Sequence, residues 1–249
     1  LRHWELTDPL FTQINGEPEC PNVFKWGNYY YLIANHLNGY YRMSDSPTGP
    51  WETPNCPNIL MPGIVNVPKT APFKDNRCII CAWSREHGFG GHAVFHELVQ
   101  HADGTLGEKF VPEMIPKTGD PIVTESDIER PETTWEQLPA EFRLQMELAF
   151  DPQKRDSLYD LQLEGNEEVK ILVSPGERAV YLNQFKLEKV CFSTSPMKLD
   201  VIIKGNLIDL CVNDDRAVID TLKQPPTRTF TLKKPEGIQV KSVTICPLM

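Results

Sequence analysis

Glu19 is the residue of this 249-residue chain best placed to do acid/base chemistry. It sits in Gly16-Glu17-Pro18-Glu19-Cys20-Pro21-Asn22, just before the strand-like Val23-Phe24 and the aromatic run Tyr29-Tyr30-Tyr31. The two flanking prolines stiffen the backbone, so the direction of the carboxyl is fixed at a strand entrance. A carboxyl that donates a proton near neutral pH also needs partial burial or a neighbouring like charge to raise its pKa. Glu17 is close enough to supply that charge only if the strand already runs through it. On chemistry alone, a solvated loop glutamate is the simpler reading of Glu19.

Two other patterns invite a metal and do not hold one. His96 and His101, in His96-Glu97-Leu98-Val99-Gln100-His101, are five residues apart, whereas the helical zinc motif needs four so that both imidazoles share a face. Cys78-Ile79-Ile80-Cys81 has C-x-x-C spacing on an apolar, strand-like run, which sends the two thiols to different faces, and no second such pair completes a site. No metal and no cofactor is expected.

The elements that must position Glu19 are strands. Residues 1–116 are dense in aromatics and turns, such as Trp26-Gly27-Asn28, Ser46-Pro47-Thr48-Gly49-Pro50 and Asp103-Gly104, with short apolar runs at Tyr29–Ala34, Cys78–Trp83 and Ala93–Val99. That spacing indicates a sandwich, barrel or propeller. Residues 117–134 hold little apolar material, two prolines and many acidic groups, and read as a linker or interdomain strap. In residues 135–249, Phe142, Leu144, Met146, Leu148 and Phe150 alternate with Arg143, Gln145, Glu147 and Ala149, a period of two. Tyr159, Leu161 and Leu163 repeat it, and Leu207–Val212, Asn213-Asp214-Asp215 and Ala217–Ile219 read as a hairpin closed by a polar turn. The C-terminal part is expected to be a β-sandwich.

Bulk composition bounds the partners. The net charge is −9 and no dense run of Lys and Arg exists, which argues against nucleic acid. No apolar stretch approaches a membrane span. Seven cysteines cannot all pair in disulfides. The absence of an N-x-Ser/Thr sequon suits an unglycosylated, bacterial protein. The compartment stays open, with a lean toward secreted or periplasmic. The chain starts at Leu1, as a processed or truncated product would.

Glu19-Cys20-Pro21, followed by a strand and then YYYLIAN, resembles the Glu-Cys-Pro motif of glycoside hydrolase family 32, the invertases, inulinases and levanases. Further matches follow in family order. Trp4-Glu5 resembles the opening of this blade, and Tyr41 through Trp51 the strand and turn after the acid/base. Ala71-Pro72-Phe73 through Ala82-Trp83-Ser84-Arg85-Glu86 is similar to the last blade with its Gly-Trp-x-x-Glu motif. Gly90-Gly91-His92 to His96-Glu97-Leu98 resembles a stretch ending in Arg-Glu-Leu, with His96 where arginine is usual. Leu199–Ile203, Leu207–Val212 and Asn213–Val218 resemble the sandwich hairpin.

The resemblance implies an all-β chain: the C-terminal blades of a five-bladed β-propeller, followed by a β-sandwich. It implies retaining hydrolysis of terminal β-fructofuranosides in an oligo- or polysaccharide, with Glu19 as general acid/base. Trp83 could wall the sugar or be ordinary core; Asn35, Tyr40 and Tyr41 could line the site or pack between blades. Glu86, His87 and His92 flank the Gly-rich loop Gly88-Phe89-Gly90-Gly91, at the pocket rim or in a solvent-exposed turn. Two family motifs do not occur here: the nucleophile in a Trp-Met-Asn-Asp-Pro-Asn-type segment, and the transition-state aspartate of Arg-Asp-Pro. Arg155-Asp156-Ser157, Asp8-Pro9 and Asp151-Pro152 lack the context of either. Roughly 115 residues before the linker supply two to three blades, so the missing blades and the nucleophile are expected upstream of Leu1, on a longer polypeptide or on a separate chain. A family 43-like arabinosidase or xylosidase and a non-catalytic carbohydrate-binding fragment are the rival readings.

Overall fold

The computed structural model describes residues 2–6, 8–9, 19–36, 38–86, 88–151, 159–165, 169–192, 196–222 and 228–249. Glu17, His87 and Arg155-Asp156-Ser157 lie outside them. Among the described residues, every regular element of appreciable length is a strand. The first four, β1 (Glu19–Trp26), β2 (Tyr29–His36), β3 (Asn38–Ser44) and β4 (Ile59–Leu60), form an antiparallel sheet in sequence order. So do β5 (Val65–Phe73), β6 (Arg77–Ser84), β7 (Ala93–Gln100) and β8 (Leu106–Phe110). Four strands in sequence order are the architecture of a propeller blade.

One apolar seam joins these two sheets. Tyr31, Ile33, Tyr41 and Leu60 of the first pack with Ile80, Ala82, Leu98 and Leu106 around the second. The aromatics carry hydroxyls into this seam, and each hydroxyl finds a partner, as burial requires. The Tyr31 hydroxyl donates to the Gly104 carbonyl (2.7 Å) and accepts from Gln100 Nε2 (2.6 Å). The Tyr41 hydroxyl accepts from the Leu106 amide at 3.0 Å.

The remaining strands build a sandwich. They are β9 (Val123–Ile128), β10 (Glu132–Trp135), β11 (Phe142–Phe150), β12 (Leu161–Gly165), β13 (Val169–Ser174), β14 (Ala179–Leu182), β15 (Phe185–Leu187), β16 (Met197–Lys204), β17 (Leu207–Val212), β18 (Arg216–Thr221), β19 (Phe230–Lys233) and β20 (Ile238–Pro247). One six-stranded sheet runs β18-β17-β16-β11-β20-β9, and the other runs β10-β19-β12-β13-β14-β15. The period-two stripe of β11 buries Phe142, Leu144, Met146 and Leu148 in the shared core with Leu163, Ile171, Val201 and Phe230. β17 and β18 pair as the expected hairpin, its turn made by Asn213 (φ 57°) and Asp214 (φ 52°), residue types that tolerate the left-handed region. Tyr159 departs from expectation: it lies outside β12 and is exposed, the strand beginning at Leu161. The segment 117–134 adds β9 and most of β10 to the sandwich, each at the end of a sheet. Its polar composition suits edge strands, which have solvent on one side.

The second sheet docks directly on the sandwich. Gly63 bridges to Ile219 in parallel; the Ile64 amide donates to the Ile219 carbonyl (2.9 Å), and the Glu108 amide donates to the Asp215 carbonyl (2.7 Å). His96 and His101 add side-chain links to Asp209 and Asp215.

Candidate active site

Glu19 is the first residue of β1 and is exposed. Directly after it the pairing of β1 with β2 breaks register: Glu19 sits opposite Asn35, and regular pairing resumes only at Asn22 opposite Ile33. Within this bulge Cys20 has φ 49°. A bulge re-aims a side chain and releases backbone groups from the ladder. Strand β5, next to β1, has the same irregularity: its pairing with β6 slips between Asn66 and Lys69, and Val67 has φ 55°. A β-branched residue is rarely found there, so the surroundings must hold it.

The two bulges are tied together by side chains. Asn22 Nδ2 donates to Thr70 Oγ1 (3.0 Å), and the Thr70 amide returns a bond to Asn22 Oδ1 (3.1 Å). Lys69 Nζ donates to the carbonyls of Cys20 (2.6 Å) and Pro21 (3.0 Å). The Val67 amide donates to Oδ1 of the buried Asn35 at 3.1 Å.

Register places the other candidate residues at this same end of the two sheets. Tyr40, half-buried on β3, pairs with Ala34 and Ile59. Trp83, half-buried near the end of β6, pairs with Asn66 and Ala93, and its ring lies 5.2 Å from that of Phe89. Tyr41 points into the seam and is core. Glu86 is engaged: its side chain is 2% exposed, and Oε1 accepts from Ser84 Oγ (3.1 Å) and the His92 amide (3.2 Å). Burial pushes this carboxyl up, but hydrogen bonds from Asn206, the His92 amide and Ser84 outweigh it and hold Glu86 below the usual carboxylate range. A carboxylate held ionised by these bonds to Oε1 staples the 84–92 loop and is a poor proton donor. Of Glu19 and Glu86, Glu19 is the carboxyl open to a ligand.

Lys69, Asn22 and Thr70 were not singled out from sequence. The signal available was Pro68 inside an otherwise strand-like run, since proline within a sheet marks an edge or a bulge. Among the described residues, no three His, Cys, Asp or Glu side chains are arranged to hold a metal ion, and none of the seven cysteines is in a disulfide. A cleft of about 630 Å³ lined by Tyr29, Asp45, Glu52 and Asp103 lies at the opposite end of the first sheet from Glu19.

No family model matches the chain, and no curated protein sequence matches it. Solved structures do. An exo-inulinase from Aspergillus awamori superposes with a TM-score of 0.70 at 9% identity, over 93% of this chain and 57% of that one. The fold is that of glycoside hydrolase family 32 enzymes, over part of their length. A family 32 β-fructofuranosidase from Bombyx mori gives a TM-score of 0.66 at 13% identity, over 93% and 54% of the two chains. A fructan 1-exohydrolase IIa from Cichorium intybus in complex with 1-kestose gives 0.68 at 10% identity, over 93% and 61%. The chain thus spans little more than half the length of these family 32 structures.

Proposed function

We propose that this chain carries the acid/base part of a retaining β-fructofuranosidase acting on sucrose or fructans. The observation that carries the reading is Glu19: an open carboxyl in a Glu-Cys-Pro segment, fixed by a bulge at the entrance of β1, within a family 32 fold. In a retaining mechanism Glu19 protonates the leaving glycosidic oxygen while a second carboxylate attacks the anomeric carbon. It then takes a proton from the water that hydrolyses the covalent fructosyl intermediate. The substrate is the saccharide itself.

The second carboxylate comes from outside these 249 residues, on the same polypeptide or a partner chain. Two features support this. A proton donor needs partial burial or a neighbouring like charge, whereas Glu19 is exposed. The second sheet also carries a half-buried apolar row, Ile79, Cys81, Trp83 and Phe95, alternating on β6 with fully covered residues. A further blade packed on that row would cover it and close the site beside Trp83.

The test is hydrolysis of sucrose and inulin by the full-length natural polypeptide and its Glu19→Gln variant. Loss of the general acid costs about 10²–10⁴-fold in turnover. The loss should be smaller on a fructoside whose leaving group needs no protonation. Undiminished turnover by the variant would sink the reading.

A further inference from the structure

Resting on that reading of Glu19, we infer that Lys69 is a positioning residue for the acid/base: its ammonium joins the facing bulges of β1 and β5 and so fixes the direction in which Glu19 leaves the strand. A bulge frees backbone groups that a regular ladder would use, leaving them open to a side-chain donor. In β1 the freed groups include the Cys20 and Pro21 carbonyls, and both accept from Lys69 Nζ (2.6 and 3.0 Å). In β5 the freed group is the Val67 amide, and it donates to Asn35 Oδ1 (3.1 Å). Asn35 is itself the residue opposite Glu19.

The two locks are reciprocal. β5 reaches back through Lys69 to the residues just after Glu19, and β2 reaches forward through Asn35 to the bulge that carries Lys69. Cys20 (φ 49°) and Val67 (φ 55°) both occupy backbone conformations that these residue types avoid. Without cross-links each bulge would relax toward regular pairing, and a one-residue slip turns a side chain to the other face of its sheet. Glu19 would then point away from the open end. Lys suits this task because a compact ammonium with three donors can serve two carbonyls at once.

The experiment compares Lys69→Met, Lys69→Arg and Glu19→Gln in the full-length natural polypeptide, with sucrose and inulin as probes. Amide exchange of residues 19–24 in the 249-residue chain is followed alongside. Lys69→Met should lower kcat about 10- to 100-fold, the effect of a misplaced catalytic group. KM should stay within about twofold, since substrate contacts are untouched. The amides of residues 19, 20 and 22–24 should exchange faster in Lys69→Met, and Lys69→Arg should restore most of the kcat and the protection. Wild-type kcat in Lys69→Met, with Glu19→Gln inactive, overturns the inference and leaves the fructosidase reading standing. So does a loss shared by Lys69→Met and Lys69→Arg with KM raised in step, which marks a structural lysine only. Full turnover by Glu19→Gln, or no turnover by the wild type on either probe, overturns both.

Discussion

His96 of the second sheet and Asp209 of the sandwich, 113 residues apart in sequence, meet across the interface with Nε2 3.1 Å from Oδ2. The other ring nitrogen, Nδ1, lies 2.9 Å from Glu108 Oε2. Carboxylate oxygens only accept, so both ring nitrogens must donate and the ring is an imidazolium. It is wholly buried, and Glu108 Oε1 in turn accepts the Met61 amide at 2.6 Å. The cation thus links the sandwich to the sheet whose edge strand β5 contacts the Glu19 bulge.

Replacing His96 by Leu leaves the buried Glu108 and its neighbour Asp209 without their shared cation. Breaking a buried ion pair from one side costs about 3–5 kcal/mol. The expected outcome is a loss of that size in urea unfolding, with most of it recovered in His96→Leu/Glu108→Gln/Asp209→Asn, where no buried charge is stranded. An unchanged midpoint in the single variant would show that the interface does not depend on this cluster.

The same cluster sets a pH dependence. Burial disfavours the imidazolium, but the charges and hydrogen bonds of Asp209 and Glu108 outweigh it and push the pKa from 6.5 up to about 10. A folded-state pKa above the unfolded one contributes stability that is full below the unfolded value and is lost as pH rises through the folded one. His96 therefore stabilises fully below pH 6.5 and progressively less up to about pH 10. The difference in unfolding midpoint between wild type and His96→Gln should shrink across that window. A difference that widens toward alkaline pH would mean that the ring is neutral.

Much of this fold was legible because burial is one-sided. Phe142–Phe150 alternates since β11 has a core face and an outer face, and the β17–β18 hairpin announces itself through Asn213-Asp214. Strand β2 shows no alternation because Tyr31, Leu32, Ile33 and Ala34 are all buried, on both faces of the sheet. β9 passed for linker because Thr124, Glu125 and Ser126 give an edge strand the composition of a loop. At the candidate site, the motif singled out Glu19, and register sets Asn35 opposite it. Lys69 was not legible, since an exposed lysine looks like any solvated one, and its partners are carbonyls 48 and 49 residues away. The role of His96 was equally hidden, because no local pattern records a partner on another sheet.

Gly63 is held to glycine by both conformation and space. Its φ is 124°, and a Cβ there would lie 1.8 Å from the Ile219 carbonyl oxygen, the acceptor of the interface bond from Ile64. Gly63→Ala should cost about 3 kcal/mol or more, a fall in Tm of about 6–12 °C for a chain of this size. Gly88→Ala is the control: its φ is also positive (83°), but nothing lies within 4 Å of the added methyl. Equal losses in the two variants would place the cost in backbone strain alone and remove the close approach from the account.

Thiol reactivity reports on both the packing and the uncovered face. Cys20 and Cys191 are exposed, whereas Cys78 and Cys211 are buried, and burial pushes the Cys78 thiol up to about 11 and Cys211 upward as well. The thiolate is the reactive form, so depth and pKa act together. An aromatic disulfide reagent at pH 8 should label Cys20 and Cys191 in its fast phase and spare Cys78 and Cys211 until the chain unfolds. Cys81 is half-buried in the apolar row of β6, and burial raises its pKa too. It should react slowly in the 249-residue chain and become protected in the full-length polypeptide, where the proposed additional blade would cover that row. Equal rates for Cys81 in the two forms would mean that nothing packs on this face, and the source of the second carboxylate would have to lie elsewhere.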